Sequence, residues 1–129
     1  MHFPELEPYK TKNPRLSELI NSLDSYLYDL LSISQQQDIA PVLFAKKAGI
    51  DEPTALVLLM FAEDAGIILR KYYVYCPVTD DYIDSYSSPE DLPKEVYCPQ
   101  DRKMHSYHEY LVELTFQFSA KALPIVSNI

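Results

Sequence analysis

The sequence predicts a small α+β domain in which three helices precede an antiparallel β-hairpin with a long insert at its tip. Three observations predict it. Apolar residues recur at three- and four-residue spacing from Leu16 to Leu31; the chain's two glycines, Gly49 and Gly66, each follow an apolar stretch of helical character; and beyond Gly66 the composition switches to β-branched and aromatic residues. With 129 residues, 47% hydrophobic and 23% charged, the chain can build one domain around a single modest core and is too apolar to stay disordered.

Residues 1–13 contain Pro4 and Pro8 and no apolar period, so they read as an extended arm. Asn13-Pro14 then supplies a helix start, with Asn as the cap and Pro at the first helical position. Leu16, Leu19, Ile20, Leu23, Tyr26, Leu27, Leu30 and Leu31 fall on one face of a helix running to about residue 32. Within that face Leu16, Ile20, Leu23, Leu27 and Leu30 also fit a coiled-coil-like seam, so the helix either covers the domain's own core or pairs with a second copy. A polar break at residues 34–38 leads to a short helix over 39–48, in which Pro41 sits in the first turn where a missing N–H costs nothing. Asp51 caps a third helix over 51–65. Both glycines stand one step past a helix, where a left-handed φ stops the helix and glycine avoids the Cβ penalty.

Residues 67–75 read as a strand that ends at Cys76-Pro77. A short strand over 80–86 and a capped helical turn at Ser87-Ser88-Pro89-Glu90-Asp91 follow, and then Glu95-Val96-Tyr97 leads into Cys98-Pro99. From Tyr110 to Phe118 the residues alternate: Tyr110, Val112, Leu114, Phe116 and Phe118 lie on one side, and Leu111, Glu113, Thr115 and Gln117 on the other. That is a half-buried strand, expected to pair with 67–75. The organisation is thus an arm (1–13), a domain (14–118) whose insert covers 76–109, and a partly apolar tail (119–129) with no assigned structure.

This order of helices, glycine stops, strand, long insert and strand resembles the winged helix-turn-helix superfamily. The resemblance is carried by residues 38–68, chiefly Phe44-Ala45-Lys46-Lys47-Ala48-Gly49-Ile50-Asp51 and Phe61-Ala62-Glu63-Asp64-Ala65-Gly66-Ile67-Ile68. It implies that the 51–65 helix stands where a recognition helix would enter the major groove. A groove reader needs cations and amides to address phosphates and base edges, and this helix has none. It carries Asp51, Glu52, Glu63 and Asp64 around a run of Leu, Val, Met and Phe. If Ala55, Leu58, Leu59, Ala62 and Ala65 face the core, then Leu56, Val57, Met60 and Phe61 face outward. The chain's own arm, first helix or tail covers them, or they form the contact surface for a protein partner or a second copy. The expected function is therefore a non-catalytic protein-interaction adaptor or regulatory subunit, and the alternative is a DNA-binding regulator using Lys46, Lys47, Arg70 and Lys71.

Charge supports the first reading. The 11 Lys+Arg against 19 Asp+Glu give a net charge of −8, which disfavours coating nucleic acid or anchoring on an anionic membrane. The longest apolar run, Ala55 to Ala62, is too short to span a bilayer, and the first residues lack the pattern of a secretory signal. With two cysteines this implies a cytoplasmic, reducing setting and no disulfide framework. The acidic residues Asp80, Asp81, Asp84, Glu90, Asp91 and Glu95 read as a solvated face able to steer a basic partner.

Cys76-Pro77-Val78-Thr79 and Cys98-Pro99-Gln100-Asp101 each look like one knuckle of a zinc ribbon, C-P-x-C, with the second cysteine replaced. A rescued zinc site requires Cys76 and Cys98 with some of Asp101, His105 and His108. The preferred reading is a degenerate ribbon without cofactor, held by packing of Tyr75, Ile83, Val96 and Tyr97, its two thiols near each other and reduced. His105 and His108 are expected at the surface. No phosphate loop, dinucleotide turn or zinc-hydrolase helix motif is present, and no third residue orients a Cys–His pair, so no enzyme activity is expected.

Overall fold

The computed structural model describes residues 1–33 and 38–122; the polar break at 34–37 and the tail beyond 122 lie outside the described residues. The described residues form an α+β structure: α1 (Glu7–Lys12), α2 (Ser17–Ile33), α3 (Pro41–Ala48), α4 (Glu52–Asp64), β1 (Ile68–Tyr75), β2 (Tyr82–Tyr86), β3 (Glu95–Cys98), β4 (Lys103–Ser106) and β5 (Leu111–Phe118). They divide into two compact units, Met1–Leu69 with the chain from Phe116 onward, and Arg70–Thr115. None of the described helices is long and apolar enough to cross a membrane.

The helical unit follows the apolar pattern closely. Ile20, Leu23 and Leu27 of the coiled-coil-like seam are buried in the chain's own core together with Leu31, while the seam's Leu16 and Leu30 are half-buried. Pro41 occupies the first turn of α3, and Phe44 and Ala45 are its buried residues together with Pro41. Asp51 caps α4 by accepting from Thr54 N–H at 3.1 Å, and Ala55, Leu58, Leu59 and Ala62 face the core as the pattern predicts, with Ala65 half-buried. Gly49 (φ +69°) and Gly66 (φ +81°) end their helices in left-handed conformation. In both stops the next residue bonds back across the turn, Ile50 N–H to Ala45 C=O and Ile67 N–H to Ala62 C=O, each at 3.0 Å.

Between α2 and α3, Ile39 makes an antiparallel bridge with Phe116, exchanging N–H···O bonds of 2.8 and 3.0 Å. This ties the connector before α3 to the last strand. Ser119 closes the same unit, donating from its N–H to Ile67 C=O and from its hydroxyl to Gly66 C=O.

The N-terminal segment departs from the expected extended arm. Residues Pro4–Leu6 form a turn of 3₁₀ helix and Glu7–Lys12 an α-helix, with Phe3 and Leu6 wholly buried. A segment this short offers too few apolar residues to display a period, but its two large ones are enough to anchor it. Asp24, buried within the apolar face of α2, accepts from His2 N–H at 2.9 Å and Phe3 N–H at 2.7 Å, and His2 stacks on Tyr28. Asn13 does not cap α2: its side-chain amide donates to Tyr9 C=O, closing α1 from behind. The turn at Pro89–Asp91 is 3₁₀, and Ser88 makes no side-chain cap there.

In the second unit β2 and β3 lie within the insert. The strands form a three-stranded sheet in the order β2-β1-β5, as expected for pairing of the first and last strands, and a two-stranded sheet of β3 and β4. β1 and β2 are antiparallel, with a bulge between Val74 and Tyr75. Val74, Val96 and Tyr110 are the buried apolar cluster, with Ile83, Tyr86 and Leu92 packed on it. Val96 and Ile83 thus pack as expected, but Tyr97 does not, being 52% exposed on the outer side of β3. In β5 the alternation fails at two places: Val112, expected on the core side, is 44% exposed, and Thr115 is buried despite sharing a side with exposed Leu111 and Glu113.

Anchoring of the N-terminal segment is testable by equilibrium urea unfolding. Phe3→Ala and Leu6→Ala are each expected to lower stability by about 2–5 kcal/mol, as for other large-to-small core changes. An unattached arm would leave the urea midpoint unchanged.

Candidate functional site

The two Cys-Pro turns have the same backbone construction. Cys76 C=O accepts from Asp80 N–H at 2.9 Å, and Cys98 C=O accepts from Arg102 N–H at 2.8 Å. Asp80 (φ +63°) and Arg102 (φ +60°), each four residues after its cysteine, are the non-glycine residues with positive φ among those described. No glycine is present in the insert to take these positions without steric cost, so both turns retain a strained backbone that the surrounding hydrogen bonds hold in place.

The side chains of the turns converge. Cys76 and Cys98 are both fully buried free thiols. Thr79, three residues after Cys76, links them: its N–H donates to Cys76 Sγ at 3.5 Å and its hydroxyl lies 3.8 Å from Cys98 Sγ. Asp101, in the equivalent place of the second turn, puts Oδ2 3.5 Å from Cys76 Sγ. His105 arrives from β4, where the register pairs it with Val96 and so turns it inward. Its Nε2 lies 3.7 Å from Cys76 Sγ and donates to Asp101 Oδ2 at 2.6 Å, since a carboxylate can only accept. Cys76, Asp101 and His105 thus offer three ligand atoms within 4.8 Å of one another.

Electrostatics follow from these contacts. Burial alone pushes the Cys76 thiol up, but hydrogen bonds from the Thr79 side chain, the Thr79 and Val78 N–H groups and Cys98 outweigh it and hold the thiol below its ordinary value. The bond to Asp101 raises His105 against its own desolvation. Burial likewise pushes Asp101 up, and the bonds from His105, Lys103 N–H and Cys76 reverse the effect, leaving it below the ordinary carboxylate value.

The structure therefore corrects one expected position and retains another. His105 is 4% exposed instead of lying at the surface, whereas His108 is exposed as expected and stands outside the cluster. The arrangement is not that of a nucleophilic triad. Cys76 and Asp101 both address Nε2 of His105, whereas a relay needs them on opposite ring nitrogens, and Cys76 has no exposed surface for a substrate to reach.

In the helical unit, the outer face of α4 is partly covered. Tyr9 of α1 stacks on Phe61 at 5.1 Å and donates its hydroxyl to Asp64, leaving Phe61 half-buried; Leu56 is half-buried as well. Val57 and Met60 remain 44% and 45% exposed. A second apolar feature was not singled out from the sequence: a groove of about 770 Å³ between α2 and α3, lined by Tyr26, Leu30, Ile33, Leu43 and Phe44 among others. Its sequence signal is Ile33 and Leu43, apolar residues left over once the core faces are assigned, beside Tyr26 and Leu30 of the face expected to be buried. Lys46 and Lys47 are exposed on α3; Arg70 and Lys71 are half-buried on β1, where Arg70 donates to the Tyr72 hydroxyl. Asp80, Asp81, Asp84, Glu90, Asp91 and Glu95 are all exposed, a solvated face as expected.

Strain at Arg102 makes a direct prediction. Arg102→Gly is expected to raise the stability of the turn by about 1 kcal/mol, read as a higher urea midpoint with unchanged slope. A fall would mean that the Arg102 side chain contributes more than its backbone strain removes. No family model, curated protein or solved structure matches the chain, so its function has to be read from these residues.

Proposed function

We propose that this chain is a non-catalytic, cytoplasmic interaction module of the winged-helix type, which uses the outer face of α4 to bind a partner protein. The order of α2, α3, α4, β1 and β5, the left-handed Gly49 between α3 and α4, and the bridge from Ile39 to Phe116 support the winged-helix reading. The observation that carries the choice of partner is the surface of α4 itself. Where a winged-helix regulator would present cations to phosphate, this helix exposes Val57 and Met60, bounded by Asp51 and Glu52 at one end and Asp64 at the other. An apolar pair ringed by carboxylates suits a protein surface with an apolar anchor and Lys or Arg around it, and repels a polyanion. Burial of Cys76 and the sharing of one histidine nitrogen by Cys76 and Asp101 favour a structural over a catalytic use of the insert.

The competing reading, a DNA-binding regulator acting through Lys46, Lys47, Arg70 and Lys71, is separated by two measurements. With Val57→Asp and Met60→Asp combined, the protein is expected to stay folded and to lose at least about ten-fold in affinity for its partner, the scale expected when a central apolar anchor is removed. Gel shifts on genomic fragments at low salt are expected to show no complex. A low-salt complex abolished by Lys46→Glu with Lys47→Glu would establish the DNA reading instead.

A further inference from the structure

We propose that Cys76, Asp101 and His105 hold a single zinc ion, with Cys98 completing a closed tetrahedral site that staples the two Cys-Pro turns together. The proposal is independent of what α4 binds.

Three lines of geometry lead to it. Zinc held at about 2.0–2.3 Å from its sulfur, nitrogen and oxygen ligands places tetrahedral ligand atoms roughly 3.5 Å from one another. The Cys76–Asp101 and Cys76–His105 separations of 3.5 and 3.7 Å already have that length. The third edge, His105 to Asp101 at 2.6 Å, is a hydrogen bond, which opens when the proton on Nε2 leaves and both atoms turn to the ion. Second, the atoms converge from two turns of identical construction, each with a left-handed residue four positions after its cysteine, so the backbone of a paired knuckle is present although two of its four cysteines are not. Third, the ligands are largely shielded from water: Cys76 and Cys98 have no exposed surface, His105 has 4%, and the Asp101 side chain 10%. Cys98 Sγ lies outside the group of Cys76, Asp101 and His105, 3.8 Å from the Thr79 hydroxyl, and turns toward the ion as the fourth ligand; two thiols, one imidazole and one carboxylate then match a structural zinc centre and not one that keeps an open position for catalysis.

The unit also needs a staple. Its apolar core is Val74, Val96 and Tyr110 with three partly buried neighbours, a small core for residues 70–115. Units of this size commonly depend on disulfides or metals. Cys76 stands at the end of β1 and Cys98 at the end of β3, so one ion joins the three-stranded sheet to the two-stranded one.

Binding deprotonates both thiols, whose protons pass to solvent, and His105 ligates through Nε2 as the neutral imidazole with its one proton on Nδ1; no redox step is involved. The test uses the full chain, stripped by chelator under reducing conditions and titrated with Co(II) alone, then with Zn(II). One equivalent of cobalt is expected to give thiolate-to-metal charge-transfer absorption and tetrahedral d–d bands, both removed by one equivalent of zinc. Cys76→Ser and Cys98→Ser each reduce the charge-transfer intensity, and His105→Gln and Asp101→Asn weaken binding by more than about ten-fold. His108→Gln, at an exposed histidine outside the cluster, changes nothing. A folded wild-type chain that gives no charge-transfer band with equimolar cobalt overturns the proposal, as does a band that survives loss of both cysteines or is lost with His108. Should the cysteine variants fail to fold, the volume-conserving Asp101→Asn and the zinc content of the freshly purified wild-type protein decide: less than stoichiometric zinc with unchanged cobalt affinity in Asp101→Asn overturns it.

Discussion

Among the described residues, four with left-handed backbone turn the chain at the ends of α3 and α4 and at the two Cys-Pro turns, and both units depend on them. Gly49 and Gly66 take positive φ without a Cβ penalty; they stop α3 and α4 and let Ile50 and Ile67 bond back into the preceding helix. Asp80 and Arg102 take the same conformation at a cost, each at the end of a Cys-Pro turn. A chain with only two glycines has placed both where the helical core needs them. Its insert is left to make the same kind of turn with side chains present. Such strain persists where the surroundings over-determine it. Here the surroundings are the N–H···S and N–H···O bonds around the two cysteines, which gain further hold if an ion joins them.

How far the fold was legible in the sequence follows from how local each signal is. The burial of Ile20, Leu23 and Leu27, of Leu58 and Leu59, and the two glycine stops are written in spacing along one helix or one turn, and they are found as read. The N-terminal helix was not legible, because Phe3 and Leu6 are too few to define a period and their burial depends on α2. Asp24 concealed the contact further. A carboxylate in an apolar stripe reads as a break in the pattern, whereas it is the acceptor for the N–H groups of His2 and Phe3. Thr115 shows the same limit in a strand: parity assigns it to the exposed side of β5, and its burial comes from neighbours that the sequence does not order.

The candidate sites divide along the same line. The exposure of Val57 and Met60 is legible because an amphipathic argument needs only the helix itself, while the half-burial of Phe61 is hidden with the N-terminal helix that supplies Tyr9. His105 and His108 look alike in sequence, two histidines in a polar stretch. What separates them is the pairing of β4 with β3, which sets His105 opposite buried Val96 and leaves His108 beyond the strand. Register is a long-range property, and a one-residue slip would exchange inward and outward positions along β4.

The donor set proposed for the two turns also has a physical sense. Four thiolates around a divalent ion carry a net double negative charge, whereas two thiolates, one carboxylate and one neutral imidazole carry a single one. That difference matters in a unit already exposing Asp80, Asp81, Asp84, Glu90, Asp91 and Glu95, where each further buried charge is repelled. Thr79 keeps the first turn's geometry through its N–H to Cys76 and its hydroxyl beside Cys98, without adding charge. Asp101 supplies an oxygen that His105 already orients, and the two cysteines retain the soft ligands that favour zinc over the harder cations. The proposed set of two thiolates, one carboxylate and a histidine from the neighbouring strand would therefore carry less charge than four thiolates, with both sulfurs held in the two turns.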